Sequence, residues 1–152
     1  DETAAAGWDN WFDAFVGADL RQALISHLSD GAPGFEIWPD LVVAAEDEII
    51  VKNRFSAFIQ GASDIGVRLG ERGIDTLLIT GTVTNVCCES TARDAAMLNY
   101  KVIMVADANA ARSDEDHNAT LNNLFNIFTD VQTTDEVIAL LDAAQAPARR
   151  TA

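Results

Sequence analysis

Apolar positions follow two rhythms along this chain. Over residues 19–28 they recur at helical spacing: Leu20, Ala23, Leu24, Ile25 and Leu28 form one stripe, and Gly31, Pro33 and Gly34 follow as stop signals. The same rhythm predicts helices over 63–72 (closed by Gly73), 87–99, 115–125 and 134–144. The last of these is capped by Thr133 or Thr134 with Asp135. Between the helices lie short apolar runs without period-two alternation. E-I-I-V at 48–51, T-L-L-I-T at 76–80, K-V-I-M-V-A at 101–106 and the segment 128–131 read as strands. Trp8, Trp11, Phe12 and Phe15 cluster at helix-like spacing, and 33–39 is a loop carrying Phe35, Ile37 and Trp38. Residues 1–6 read as loose and 146–152 as a tail, and no internal repeat is visible.

Strands that are apolar throughout are buried on both faces, which means parallel strands covered by helices. The fold class expected is therefore α/β, a doubly wound, Rossmann-like parallel sheet with helices on both faces, in one domain over 1–152. Ligands of such sheets sit beyond the carboxyl ends of the strands. Candidate chemistry is therefore sought in 51–58, 81–89 and 107–113.

Charge narrows the function. The chain carries 24 acidic and 10 basic residues, a net charge of −14, and has 49% hydrophobic and 22% charged residues. This composition excludes disorder and low complexity, and the negative field disfavours nucleic acid and anionic lipid as partners. No run approaches the roughly 18 apolar residues of a membrane span. The two cysteines, Cys87 and Cys88, are adjacent and cannot staple distant segments, so a reducing, cytoplasmic setting is expected. With only His27 and His117 besides them, no metal site and no cofactor are expected. The chain opens at Asp1 without a Met or a signal peptide, which reads as a fragment or a processed product.

The end at 81–89 is the most informative. In T-L-L-I-T-G-T-V-T-N-V-C-C-E-S-T-A-R-D-A-A a strand stops at Gly81, a polar turn follows, and Cys87 stands where the next helix begins. Unpaired N–H groups at a helix start favour thiolate and can hold a developing oxyanion. Cys88 lies about 100° further round, so one thiol faces the cleft and the other packs; Cys87 is the one expected in the cleft. Against this stands the plain alternative of a small core cysteine. In I-I-V-K-N-R-F-S-A-F, Lys52 follows a predicted strand directly and can lower a neighbouring thiol's pKa. Lys101, the other lysine, opens a strand at the opposite edge. Arg54 is exposed or faces an acidic substrate group, and Phe55 and Phe58 are core or pocket wall. Thr84 and Asn85 are expected to hold the turn and, with Arg54 and Phe55, to border the substrate pocket. Arg93 and Asp94 read as structural pairs on the helix, and His117 as a surface or subunit-contact residue.

These motifs resemble the isochorismatase-like cysteine hydrolases. T-G-T-V-T-N-V-C-C-E-S-T-A-R-D-A-A is similar to that family's cysteine signature, V-K-N-R-F-S-A-F to its lysine motif and G-I-D-T-L-L-I-T-G to the strand before the cysteine. V-A-D-A-N-A-A-R-S-D-E-D-H-N-A-T-L and D-V-Q-T-T-D-E-V-I also fit, so the likeness runs in unbroken order over about 31–141.

The resemblance implies a Cys–Lys–Asp triad with Cys87 as nucleophile and Lys52 as the lysine. It also implies a cis peptide at Thr82–Val83 and an oxyanion hole formed by the Val83 and Cys87 N–H groups. The family's aspartate, in an apolar-I-D-x-Q motif on a first strand, has no match here. Asp9, Asp13 and Asp19 stand in helical or loop text. Three explanations fit: a remainder of a longer protein, which is preferred, a strand from another chain, or a degenerate relative. The expected function is hydrolysis of a small amide or ureido C–N bond through a thioester. The C-E-S-T-A-R-D segment looks most like the ureidoacrylate and N-carbamoyl amidohydrolase branch. Alternatives are an isochorismatase-type or nicotinamidase-type hydrolase, or an inactive α/β interaction subunit. A homo-oligomer, dimer or tetramer, is implied by the family alone.

Overall fold

Two apolar runs that the sequence marks as strands do form the centre of a sheet. Strands β1 (Thr76–Thr82), β2 (Lys101–Ala110) and β3 (Asp130–Gln132) pair in parallel in the order β1-β2-β3. The computed structural model describes residues 7–145, so the segments 1–6 and 146–152 lie outside the described residues. Contacts divide the chain into two compact units, Asp1–Ile49 and Ile50–Ala152.

The second unit holds the sheet. Three helices pack against β2: α4 (Glu89–Met97), α5 (Asp114–Ile127) and α6 (Thr134–Gln145). A further helix, α3 (Ile65–Glu71), precedes β1. Successive β2 side chains point to opposite faces. Val102 and Met104 join Cys88, Ala92, Ala95 and Leu124 in one buried cluster. Met104 and Leu124 are fully enclosed there, with Ala92 and Ala95 letting α4 approach closely. Val105 is buried on the other face, and α6 brings the buried Val137 to β2. Helices thus cover β2 as the α/β class requires, whereas β1, expected to be buried on both faces, is half-buried to exposed, with Leu78 41% exposed.

Both long strands run past the stretches their apolar residues mark. β1 continues through Gly81 to Thr82, and β2 through Asp107 to Ala110. Between the Ile79–Met104 and Gly81–Asn109 pairs, β2 has four residues where β1 has one, so the ladder is interrupted. Asn109 closes that gap by donating from Nδ2 to the carbonyls of Ile79 (2.9 Å) and Val105 (2.7 Å). The sequence also predicts a strand over 48–51, and none forms. A strand exists by pairing, and among the described residues no strand pairs with E-I-I-V.

Helix α6 opens with a reciprocal cap. Thr133 N–H and Oγ1 donate to Glu136 Oε2 at 2.7 and 2.8 Å, and Glu136 N–H donates to Thr133 Oγ1 at 3.3 Å. Thr134 instead donates from N–H and Oγ1 to Asp107, which lies in the interrupted stretch of β2 (2.7 and 2.8 Å). These bonds hold the Asp107 carboxyl below its ordinary value.

The first unit is built on aromatic contacts. Its helix α1 (Asp9–Trp11) runs into a π-helical turn (Phe12–Val16), and Gly17 at φ 73° separates this from α2 (Ala18–Leu28). Trp8 and Trp11 meet edge to face at 5.1 Å, as do Trp11 and Phe12 at 5.0 Å. Arg21 of α2 reaches Asp9 and Asp13 and lies 5.2 Å over the Phe12 ring. Among the described residues no helix is long and apolar enough to cross a membrane.

Candidate active site

Cys87 sits in a π-helical turn, Thr84–Cys88, which leads from β1 into α4. The sequence places Cys87 at the first turn of a regular helix; the structure delays that helix to Glu89. The turn closes on one carbonyl: Val83 O accepts from Val86 N–H at 3.0 Å and from Cys88 N–H at 3.3 Å. Immediately before it the Thr82–Val83 peptide is cis, and Gly81 has φ 115°. Nothing would crowd a Cβ at Gly81, so its backbone angle rather than space calls for glycine there.

The two thiols are differently placed. Cys88 points into the core, 5% exposed, with Sγ 3.9 Å from Thr80 O. Burial pushes its thiol up to about 11, and the neighbouring Cys87 adds to this while Lys52 opposes it. Cys88 is therefore a protonated thiol at neutral pH. Cys87 is half-buried, and it borders a cavity of about 270 Å³ with Lys52, Ala57, Thr80, Thr82, Thr91 and the more deeply buried Cys88. The cavity lies along the carboxyl half of β1, where the α/β class puts its ligands.

Lys52 reaches this cavity without a strand beneath it. Its segment is instead tied down at three points: Asn53 N–H donates to Ala62 O (3.2 Å), Ala57 N–H to Thr91 Oγ1 of α4 (3.3 Å) and Ser63 Oγ to Ala57 O (2.7 Å). Ser56 and Ala57 are buried in consequence. Lys52 Nζ donates to Arg54 O at 2.9 Å, which fixes the ammonium beside the cavity through a neutral acceptor.

The other candidates are placed elsewhere. Arg54 is half-buried, donates to Asn53 O and does not line this cavity, nor does Phe55, which is exposed. Phe58 packs on the core with its ring 5.4 Å from Tyr100. Thr84 is fully buried and turns away from the cavity toward α5, where its Oγ1 lies 3.0 Å from His117 Nδ1. Asn85 has a buried Oδ1 that finds no protein partner. His117, read from sequence as a surface or subunit-contact residue, is half-buried and bonds to the turn; its acidic surroundings in D-E-D-H-N hide this.

Sequence reasoning also missed Glu89. Its Oε1 accepts from Arg93 Nε (2.9 Å) and a terminal guanidinium nitrogen (2.6 Å), and its Oε2 accepts from Thr120 Oγ1 (3.1 Å). Arg93 in turn lies 4.4 Å over the Phe128 ring. The i, i+4 spacing of Glu89 and Arg93 was the available signal.

This is an α/β sheet with a half-buried cysteine and a lysine at one cavity beside the carboxyl edge. Residues 8–136 match the family model described as Isochorismatase domain, and the chain belongs to the isochorismatase family. It is 34% identical over 141 residues to the isochorismatase family protein YwoC of Bacillus subtilis, covering 85% of this chain and 74% of that one. It is 36% identical over 112 residues to the ureidoacrylate amidohydrolase RutB of Acinetobacter baylyi, covering 73% of this chain and 45% of that one. A cysteine hydrolase from Pseudomonas syringae pv. phaseolicola superposes with a TM-score of 0.81 at 32% identity, covering 95% of this chain and 68% of that one. The chain thus spans less than half the length of RutB and about two thirds to three quarters of the other two.

Proposed function

We propose that this chain carries the nucleophile of a cysteine hydrolase that cleaves a small amide or ureido C–N bond. The observation that carries the reading is the shared cavity: Cys87 and Lys52 border it together, and of its two thiols Cys88 is the buried one and is held protonated. The likeness to RutB, named for an amide reaction, favours an amide or ureido substrate.

The Cys87 thiolate attacks the carbonyl carbon, and the tetrahedral oxyanion is held by the Val83 and Cys87 N–H groups. The C–N bond breaks with a proton delivered to the leaving nitrogen, so ammonia or an amine departs and the acyl group remains as a thioester on Cys87. Water then adds to that thioester carbon, releasing the acid and the thiol. The proton carrier is a carboxylate that none of the residues matched to the family motif supplies. Lys52 provides positive charge that stabilises the thiolate. The protein acts without a resident cofactor and in a cytoplasmic setting.

Incubation with ureidoacrylate and N-carbamoyl amides, followed by acid quench and peptide mass spectrometry, tests this. The reading requires an acyl mass on the Cys87 peptide and ammonia release. Ammonia release that persists unchanged in Cys87→Ala overturns it.

A further inference from the structure

Helix α5 grips the cysteine turn from both sides. His117 Nδ1 meets Thr84 Oγ1 at 3.0 Å, three residues before Cys87. Thr120 Oγ1 donates to Glu89 Oε2 at 3.1 Å, two residues after it. His117 and Thr120 are three apart and so share one face of α5. The partners come from more than thirty residues away in sequence, so these bonds tie two separate elements together.

The grip is stiff at every point. Thr84 is fully buried and Thr120 is 5% exposed, so water has little access to replace either contact. Glu89 is fixed from its other oxygen by Arg93, which rests on Phe128. His117 is placed by the start of its own helix: its N–H donates to Ser113 O at 3.1 Å, and Ser113 Oγ caps α5 by accepting from Asp116 N–H at 3.2 Å. The turn itself is π-helical, a rare geometry that occurs mostly as single turns, frequently at functional sites. Side-chain struts are what such a turn needs to hold one orientation.

We propose that His117 and Thr120 are positioning residues for Cys87, clamping its turn so that the thiol faces the cavity. The inference rests on Cys87 being the nucleophile. His117 acts through Thr84, and Thr120 through Glu89; neither borders the cavity. Reacting groups need near-attack geometry, and a displacement of about 1 Å can cost a factor of about 100 in rate.

The test follows iodoacetamide alkylation of Cys87 and Cys88 by peptide mass spectrometry near neutral pH, in the full chain, with thermal unfolding run in parallel. In the unaltered chain Cys87 reacts faster than Cys88. In His117→Ala the Cys87 rate falls about tenfold while Cys88 stays slow. His117→Asn, whose amide can reach Thr84, restores the rate to within about twofold of the original. Thr120→Val lowers the Cys87 rate as well. An unchanged Cys87 rate in both His117→Ala and Thr120→Val overturns the clamp. So does equal impairment in His117→Ala and His117→Asn, or a rise at Cys88, which reports general opening. If Cys87 in the unaltered chain reacts no faster than Cys88, the nucleophile reading fails by itself. The clamp is then judged by amide hydrogen exchange at Val86 and Cys88, whose bonds to Val83 O must loosen in His117→Ala; unchanged exchange there overturns it.

Discussion

The chain has two lysines, and they occupy opposite ends of one sheet. Lys101 opens β2 at the amino edge and meets Asp75 at 2.7 Å, with both side chains about 70% exposed. Its hydrogen bond, with that of Thr76, holds the Asp75 carboxyl below its ordinary value. Lys52 borders the cavity at the carboxyl half of β1, donates to a neutral carbonyl and still opposes the rise of the Cys88 thiol. One cation is answered by a carboxylate in water, where the pair contributes little. The other keeps its field directed at the Cys88 thiol, on a cavity that Cys87 shares. Position at the sheet, rather than residue type, separates a surface charge from one that can do chemistry.

The sharpest way to break this contrast is at the thiol. Cys87→Ala is expected to lower amide hydrolysis by at least about 10³-fold, since loss of a nucleophile removes the covalent route. Cys88→Ala keeps most of the activity and costs ~1 kcal/mol of stability for the lost core volume; ammonia release and denaturant unfolding read both.

Next comes the lysine pair. Lys52→Met is expected to reduce kcat/KM about 10²-fold, the scale of one lost charged stabiliser. Lys101→Met leaves kcat/KM and the thermal midpoint unchanged within error. Equal effects at the two positions would erase the distinction drawn above.

Two pH effects are smaller. The raised Cys88 thiol favours the folded state while neutral. That contribution is complete below the ordinary thiol value near 9 and is lost as pH rises toward about 11. Cys88→Ala should therefore flatten the alkaline fall in thermal midpoint over that window. The lowered Asp75 carboxyl has the opposite sign: its contribution is present above the ordinary carboxyl value of 3.8 and is lost as pH falls through the lower folded value. Being largely exposed, it gives the faintest effect, and Asp75→Asn should barely alter an acid titration of stability.

The sheet was legible wherever burial wrote it in apolar residues. T-L-L-I-T and K-V-I-M-V-A mark the apolar stretches of β1 and β2, half-buried to exposed in β1 and largely buried in β2, where Met104 stands at the centre of the core. The carboxyl halves were not legible, because Gly81, Thr82, Asp107 and Asn109 are selected by backbone angle and hydrogen bonding instead of hydrophobicity. E-I-I-V failed in the other direction: its residues suit a strand, but a strand is a property of two segments. At the site, the meeting of Cys87 and Lys52 at one cavity and the deeper burial of Cys88 could be read from local sequence. The Thr84–His117 and Thr120–Glu89 bonds could not, since nothing local links residues so far apart.

Gly81 carries a practical consequence for anyone reshaping substrate choice. Its surroundings are empty, so a design based on free volume would nominate it first for a larger residue. At φ 115° any side chain would pull the backbone out of the arc that delivers Thr82 and Val83 to the cysteine turn. A saturation library should therefore show a sharp hole at this spacious position. Ala57 and Thr91, on the cavity wall, offer the better places to spend diversity.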